Sequence, residues 1–173
     1  AYMVLYSGPH IDLDGDAYLN FESVLNQEFS CEHPEWIARL QEYRDSMAPK
    51  RNPDPKYVDP AKFIEILSEK MEDDAIYVAD VGQNQIWSCG YVNVRKGRFL
   101  TTGGMGTMGY SIPAAMGAKR ALGKDRQVVA VCGDGSFQMS MMEFATIRQH
   151  NIPIKVIVLK NTVLGMVREY QHY

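Results

Sequence analysis

The sequence predicts a three-layer α/β fold, in which a doubly wound, mostly parallel sheet is covered by helices on both faces. Segments 75–79, 128–132 and 154–159 are almost continuously apolar, as expected of strands that are buried on both sides. Segments with apolar residues at helical spacing alternate with these strands. This alternation is typical of parallel sheets whose crossover connections are helices.

The composition is that of an ordinary globular protein and argues against several classes. The 173 residues are 46% hydrophobic and 23% charged, and the formal net charge of −3 does not predict nucleic-acid binding. No apolar run reaches the roughly 18 residues of a membrane helix. Cys31, Cys89 and Cys132 are far apart and lack a nearby histidine cluster. We therefore expect neither a disulfide framework nor a zinc site, and we expect a reducing, cytoplasmic location.

Three regions are predicted along the chain. Residues 1–47 form an acidic, partly helical segment with one helix expected at 34–46. Residues 48–59 form a proline-rich linker, because proline restricts its own backbone and that of the preceding residue. Residues 60–173 form the main domain. Its last helix carries no glycine or proline stop signal, so we expect a fragment of a longer chain, truncated within this domain.

The elements of the main domain follow from periodicity and capping signals. Asp59-Pro60 starts the first helix, and Ser140 to Glu143 has capping-box spacing for a helix that ends near His150. The other expected elements are a strand at 75–79, a helix at 83–90, a strand at 98–101, a helix ending at Leu122, strands at 128–132 and 154–159, and a final helix from about 164.

Glycine-containing loops follow four of the predicted strands. In a parallel sheet these loops share one edge, where ligands bind, and glycines let backbone N–H groups approach an anion at helix N-termini. The four loops are Asp80-Val-Gly-Gln-Asn84, Gly103-Gly-Met-Gly-Thr-Met-Gly109, Gly133-Asp-Gly-Ser-Phe137 and Lys160-Asn-Thr-Val-Leu-Gly165.

Asp134 and Asn161 are the most informative pair in these loops. One crossover unit separates them, so they emerge at neighbouring strand ends. A carboxylate and an amide oxygen suit a hard cation such as Mg²⁺, with room left for water and phosphate oxygens. The implied ligand is a diphosphate held through Mg²⁺. The alternative is that Gly133-Asp-Gly135 is a plain turn and Asn161 a helix cap.

Gly104-Met-Gly-Thr-Met-Gly109 also matches the G-x-G-x-x-G pattern of dinucleotide-binding proteins. In that alternative, Asp134 binds the ribose of NAD(P), and the protein is an oxidoreductase. Asp134 lies 25 residues after Gly109, whereas the expected interval is about 20.

The four loops, in this order, resemble the diphosphate-binding domain of thiamine-diphosphate enzymes over residues 58–173. Within that superfamily, three segments resemble the large subunit of acetolactate synthase: Val81-Gly-Gln-Asn-Gln-Ile-Trp87, Gly106-Thr-Met-Gly-Tyr-Ser-Ile-Pro-Ala-Ala115 and Gly165-Met-Val167. His10-Ile-Asp-Leu-Asp14 resembles a strand near the end of the family's central domain.

The resemblance implies a role for each candidate site residue. Asp134, the Asn161 side chain and the Val163 backbone carbonyl would bind Mg²⁺. The Gly106 carbonyl would contact the aminopyrimidine, Met108 would separate the two cofactor rings, and Tyr170 would shape the second-substrate pocket. The residues implied to hold the diphosphate are Gly82, Gln83, Asn84, Gly133, Gly135, Ser136, Gly165 and Met166.

The resemblance also implies an activity. The parent enzyme would decarboxylate pyruvate and join the two-carbon unit to a second 2-keto acid, a step of branched-chain amino acid biosynthesis. Its activating glutamate would lie in a pyrimidine-binding domain of a facing subunit, and any FAD in a central domain. A regulatory subunit is possible in this family. We therefore expect the isolated chain to be inactive and its parent to be a dimer or larger. Another thiamine-diphosphate decarboxylase or carboligase and a non-catalytic scaffold fragment are the remaining alternatives.

The methionines fall into two groups, and the chain differs from the family pattern at three positions. Met105 is expected to fill a gap in the core, and Met139, Met141 and Met142 to pack between helices, whereas the loop positions of Met108 and Met166 suggest functional roles. The family usually has Asn at the position of Lys160, His at the position of Asn84 and Trp at the position of Tyr170. The last difference leaves the preference between pyruvate and 2-ketobutyrate open.

Overall fold

A four-stranded parallel sheet forms the centre of the unit Arg51–Tyr173. Its strands are β1 (Ile76–Ala79), β2 (Arg98–Leu100), β3 (Val128–Gly133) and β4 (Lys155–Leu159), in the spatial order β2-β1-β3-β4. The pairings of β1 with β2, β1 with β3 and β3 with β4 are all parallel. The predicted parallel sheet is confirmed.

The computed structural model describes residues 16–26, 33–46 and 56–172. Two units are distinguished, Ala1–Lys50 and Arg51–Tyr173. The helices of the second unit are α3 (Pro60–Lys70), α4 (Gln83–Tyr91), α5 (Ser111–Leu122), α6 (Asp134–Ser140), α7 (Glu143–Gln149) and α8 (Gly165–Gln171). Within the described ranges, every helix is too short or too polar to cross a bilayer.

Alternate residues of the central strands face two separate apolar clusters. Tyr77 and Val129 lie in a cluster that includes Met71, just after α3. Val78 and Ala130 point the opposite way and pack with Ala115 of α5. Because successive strand side chains alternate between faces, continuously apolar strands require covering helices on both sides. The predicted three-layer arrangement is therefore confirmed.

The first unit contains α1 (Ala17–Leu25) and α2 (Pro34–Ser46). The predicted helix at 34–46 is confirmed, whereas α1 was not predicted. The sequence feature that could have predicted α1 is Asp16, directly before the helix. Its carboxylate accepts the backbone N–H of Leu19 at 3.1 Å, as an N-cap residue does. The strand expected near residues 10–14 and most of the linker at 48–59 lie outside the described residues.

Of the two capping signals that were predicted for helices of the second unit, one is confirmed and one is wrong. The Asp59 side chain accepts the N–H groups of Ala61 and Lys62 and caps α3 as predicted. The expected capping box at Ser140 is wrong, because α6 begins directly at Asp134 and places Ser140 in its last turn. The Ser140 hydroxyl is buried there without a hydrogen-bond partner.

The expected core methionines are also wrong. Met105, Met139, Met141 and Met142 are 92%, 56%, 52% and 68% exposed, respectively. They lie in the glycine-rich loop and around the junction of α6 and α7 instead of between packed helices.

Two buried ionisable groups in the sheet lose their protons only at high pH. Burial raises the pKa of Tyr77 to about 12, although its hydrogen bond with Ser88, at 2.8 Å, opposes that rise. Burial and the nearby charge of Asp80 raise the pKa of the Cys132 thiol to about 12. Both groups therefore remain neutral in the folded chain at pH values where the unfolded chain would ionise them.

We predict that the free energy of unfolding falls as the pH rises above about 9, because the native state then binds more protons than the unfolded state. Each group contributes a slope of about 1.4 kcal/mol per pH unit between its unfolded and folded pKa. Urea unfolding between pH 7 and 10.5 measures this fall, and Tyr77→Phe should make it shallower. Constant stability to pH 10.5 would contradict the assignment.

Candidate functional site

The loops that follow the four strands lie along one edge of the sheet. The residues after β1 lead into α4, those after β2 into α5, and those after β4 into α8, while β3 runs directly into α6. Because all four strands are parallel, their carboxyl ends share this edge. The sequence-based prediction that the four loops are neighbours is confirmed.

A pocket of about 100 Å³ opens between the ends of β1, β3 and β4. It is smaller than the roughly 300 Å³ at which most small-molecule pockets begin, so it suits part of a ligand, such as its anionic end. The candidate residues that line it are Gly82, Gln83, Asn84, Met108, Gly133, Asp134, Gly135, Ser136, Asn161, Val163, Gly165 and Met166.

Asp134 joins the end of β3 to the loop after β4. One carboxylate oxygen accepts the backbone N–H of Thr162 at 3.1 Å, and the other lies 3.4 Å from the backbone nitrogen of Asn161. Thr162 has a φ of 62°, in the left-handed region, which turns the loop toward Asp134. The two residues singled out from the sequence are therefore neighbours in the fold.

The side chain of Asn161 extends this link to the end of β1. Its Nδ2 donates to Gln83 Oε1 at 3.1 Å, and its Oδ1 accepts the backbone N–H of Val163 at 3.1 Å. Gln83 is the first residue of α4. Side-chain hydrogen bonds thus connect three of the four strand ends.

Two glycines in the pocket lining leave no space for a side chain. A Cβ at Gly165 would overlap the end of the Gln83 side chain and lie 2.9 Å from Asn161 Nδ2. A Cβ at Gly135 would lie 3.3 Å from the Met108 methyl carbon. A larger residue would therefore collide with polar side chains at position 165 and crowd the apolar side chains of Met108 and Leu164 at position 135.

Two candidate residues use their side-chain donors within the protein. Asn84 is 3% exposed, and its Nδ2 donates to the backbone carbonyls of Asp80 at 2.8 Å and Val131 at 3.2 Å. The Ser136 hydroxyl donates to the Val81 carbonyl at 3.1 Å. These side chains hold the ends of β1 and β3 together, which leaves backbone groups as the donors they can offer to an anion.

Gly106 and Tyr170 do not line the pocket. Gly106 has a φ of 63° in the exposed loop after β2, a conformation that glycine adopts without strain. Tyr170 lies on α8 and is 76% exposed. The structure therefore brings twelve of the fourteen candidates to one pocket and leaves these two outside it.

The oxygen atoms that line the pocket suit a hard cation as ligands. Asp134 offers a carboxylate, Asn161 an amide oxygen and Val163 a backbone carbonyl, and all of these are oxygen ligands. Among the described residues, no group of three or more His, Cys, Asp and Glu side chains forms a potential metal site. A cation held by one carboxylate would need further oxygens from water or phosphate, which is the usual situation for Mg²⁺.

Asp80 is a buried polar residue beside the site that the sequence-based interpretation did not select. It follows β1, is fully buried, and accepts backbone N–H groups of the glycine-rich loop and of α5. The feature of the sequence that could have identified Asp80 was a carboxylate directly after a strand that was expected to be fully buried.

Comparison with known proteins identifies the family. The family described as "Thiamine pyrophosphate enzyme, C-terminal TPP binding domain" matches residues 80–173. The chain therefore belongs to the thiamine pyrophosphate enzymes and contains their C-terminal TPP binding domain, as the resemblance of its loops implied.

Curated relatives narrow the comparison to acetolactate synthases. The chain is 52% identical over 99 residues to acetolactate synthase of Arthrospira platensis, which covers 57% of the chain and 17% of that protein. It is 34% identical over 172 residues to the acetolactate synthase large subunit of Porphyra purpurea, which covers 94% and 28%. For the large subunit of Lactococcus lactis, the identity is 39% over 138 residues, covering 79% and 24%. The chain thus spans less than a third of the length of these relatives.

A solved structure supports the same fold. The thiamine diphosphate-dependent 4-hydroxybenzoylformate decarboxylase of Rhodococcus jostii RHA1 superposes with a TM-score of 0.63 at 27% identity, covering 72% of this chain and 23% of that one.

The dinucleotide alternative is not favoured by these findings, and the structure gives a physical reason. In a dinucleotide-binding unit, the pyrophosphate lies at the N-terminus of the helix that follows the glycine-rich loop. Here that helix is α5, and the Asp80 carboxylate accepts the backbone N–H of Ser111 at its first residue. A negatively charged side chain already occupies the position that a pyrophosphate would take.

We predict that Gly165→Ala displaces the Gln83 side chain from Asn161 at a cost below about 1 kcal/mol, because the obstructing atoms are the flexible end of a side chain. The side-chain amide signal of Asn161 in NMR spectra measures the displacement. Gly117→Ala is the matched control, since a Cβ there meets open space within α5. It should leave the signal unchanged and stabilise the chain by about 0.5–1 kcal/mol. An unshifted Asn161 signal in Gly165→Ala would refute the contact.

Proposed function

We propose that this chain supplies the diphosphate- and Mg²⁺-binding half of the active site of an acetolactate synthase-like carboligase. The observation that carries this proposal is the convergence of Gln83, Asp134 and Asn161, from three different strand ends, on one glycine-lined pocket. Family membership supports the cofactor, and the curated relatives support the reaction class.

The cation would be held by Asp134, the Asn161 side chain and the Val163 carbonyl. The loop geometry supports this assignment, because hydrogen bonds from Asn161 and Thr162 fix the Asp134 carboxylate beside the loop. With two side chains and one carbonyl as ligands, Mg²⁺ would complete its octahedron with phosphate oxygens and water. The net negative charge of the bound diphosphate would thereby be reduced.

The diphosphate would be bound mostly by backbone N–H groups. Gly82 precedes α4 with a φ of 133° and without a side-chain cap. The Gln85 N–H donates to the Gly82 carbonyl at 2.9 Å, whereas the N–H groups of Gln83 and Asn84 have no partner within the helix and would donate to the diphosphate. Gln83 Nε2 adds a side-chain donor, because only its oxygen is used by Asn161. The other proposed contacts are backbone groups of Gly133, Gly135, Ser136, Gly165 and Met166. For Asn84, we propose a scaffolding role in place of a direct contact.

Gly106 and Met108 would orient the rings of the cofactor. Met108 lies at the pocket wall opposite Gly135, where an apolar side chain can support an aromatic ring. The exposed Gly106 carbonyl would accept a hydrogen bond from the aminopyrimidine. When bound, thiamine diphosphate supplies the nucleophilic carbon and the electron sink that decarboxylation of a 2-keto acid requires.

The complete enzyme would use pyruvate and a second 2-keto acid, with Tyr170 near the second-substrate pocket. Because the pocket on this chain is small and open, the remaining catalytic groups, including the activating glutamate, would come from a pyrimidine-binding domain of a facing subunit. The enzyme would be a cytoplasmic homodimer or larger, with FAD, if any, outside this chain and a regulatory subunit as a further partner. Residues 60–173 would be the cofactor-binding domain, with 48–59 as its linker and 1–47 as a remnant of a central domain.

A second candidate is another thiamine-diphosphate-dependent decarboxylase or carboligase. The similarity to a solved 4-hydroxybenzoylformate decarboxylase favours it. The 52% identity to an acetolactate synthase over 99 residues makes the carboligase the stronger candidate.

We predict that the chain binds thiamine diphosphate with heat release that requires Mg²⁺, and that Asp134→Asn weakens this binding at least about tenfold, because the cation loses the only charged side chain among its proposed ligands. Isothermal titration calorimetry measures both effects. Asp125→Asn is the matched control, since Asp125 is exposed in the loop before β3, at the opposite end of that strand.

Equal affinity of the Asp134→Asn variant and the unmodified chain would show that the cation site is elsewhere. Binding of NADH in place of thiamine diphosphate would contradict the proposed function as a whole. Acetolactate formation by the purified chain alone would contradict the proposed need for a facing subunit.

A further inference from the structure

Asp80 holds three backbone N–H groups with one buried carboxylate. It is the first residue after β1 and is fully buried. Its Oδ1 accepts the N–H groups of Val81 at 2.8 Å and Gly109 at 3.0 Å, and its Oδ2 accepts the N–H of Ser111 at 2.7 Å. Two of these bonds join residues that are 29 and 31 positions apart in sequence.

These bonds supply the start of α5 with a cap that its own sequence lacks. The residue that precedes the helix, Tyr110, makes no side-chain capping bond. The first N–H groups of a helix have no partner within it, and a negative charge near them is stabilising. Asp80 therefore performs from a neighbouring strand the role that an N-cap residue normally performs locally.

The same bonds fix the end of the glycine-rich loop that carries Met108. Gly109, whose N–H is held by Asp80, has a φ of 86°, and a Cβ there would lie 3.1 Å from Met139 Cβ. Met108 immediately precedes this fixed residue, and its methyl carbon reaches the pocket wall beside Gly135. Met108 therefore lies one residue from a backbone N–H group that is held by a carboxylate outside the pocket lining.

We propose that Asp80 is a positioning residue of this site with two effects. First, its carboxylate accepts the N–H groups at the N-terminus of α5. The diphosphate of the ligand therefore binds at the ends of β1, β3 and β4 and not at this helix. Second, through Gly109, Asp80 holds Met108 where the organic rings of the ligand meet the pocket. This inference rests on the proposed function for its second effect, whereas the hydrogen bonds of Asp80 can be tested without any ligand.

The first test uses the full chain without ligand. Backbone amide hydrogens of Gly109 and Ser111 should exchange more slowly than those of Gly103 and Gly104 in the exposed part of the same loop. In Asp80→Asn, one carboxylate oxygen becomes an NH₂ group that cannot accept, so exchange at Gly109 or Ser111 should accelerate about tenfold or more. Asp73→Asn is the control, because Asp73 is exposed and its carboxylate bonds to Arg95.

The second test separates positioning from general loss of structure. With Mg²⁺ present, Asp80→Asn should bind thiamine diphosphate about tenfold more weakly, yet bind inorganic diphosphate within about twofold of the unmodified chain. The reason is that Gln83, Asp134 and Asn161 keep their places, while Met108 does not. The ¹³C-methyl signal of Met108 should shift in Asp80→Asn and stay unchanged in Asp73→Asn.

The outcomes separate the inference from the function on which it rests. If the unmodified chain binds neither ligand, the proposed function fails, while exchange rates and the Met108 signal still decide the role of Asp80. Rapid exchange of Gly109 and Ser111 in the unmodified chain would overturn the inference, even if Asp80→Asn did not fold. Equal weakening of both ligands would also overturn it, because that result indicates a merely structural role.

Discussion

The site depends on the capture of backbone N–H groups by carboxylates that stand at the ends of adjacent parallel strands. Asp80 after β1 and Asp134 after β3 each bind loops that begin elsewhere in the sequence. A parallel sheet brings such loops to one edge but does not fix their conformation. The two carboxylates provide that constraint, and glycines at the contact points make it sterically possible.

The two carboxylates have similar bonding but different surroundings. Asp80 is fully buried, and its oxygens are directed at three N–H groups, so it serves the protein. Asp134 is partly exposed at the pocket wall and retains access to a ligand. A buried carboxylate with several hydrogen bonds is a structural element, whereas a partly exposed one with free lone pairs can bind a cation.

Much of the fold and of the pocket could be predicted from the sequence, because apolar periodicity gives the order of strands and helices, and that order places the loops at one edge of the sheet. Apolar strands and helical spacing gave the order of elements, and the interval between Asp134 and Asn161 placed both at neighbouring strand ends. The tertiary bonds of Asp80 and Asn84 could not be read in this way, because no pattern in the sequence indicates that these side chains turn toward backbone groups of other loops and strands, 29 to 47 residues away. The capping signal at Ser140 failed because a helix that started six residues earlier already contained it.

The central claim is that Asp134 and Asn161 share one cation that binds a diphosphate. Mn²⁺, added with thiamine diphosphate in place of Mg²⁺, tests this claim through the paramagnetic broadening of backbone amide signals. The account predicts that residues 133–136 and 161–165 broaden first, while residues 125–127 stay sharp, because the six residues of β3 place them about 20 Å away. Broadening that is centred elsewhere, or that affects both ends of β3 equally, would contradict it.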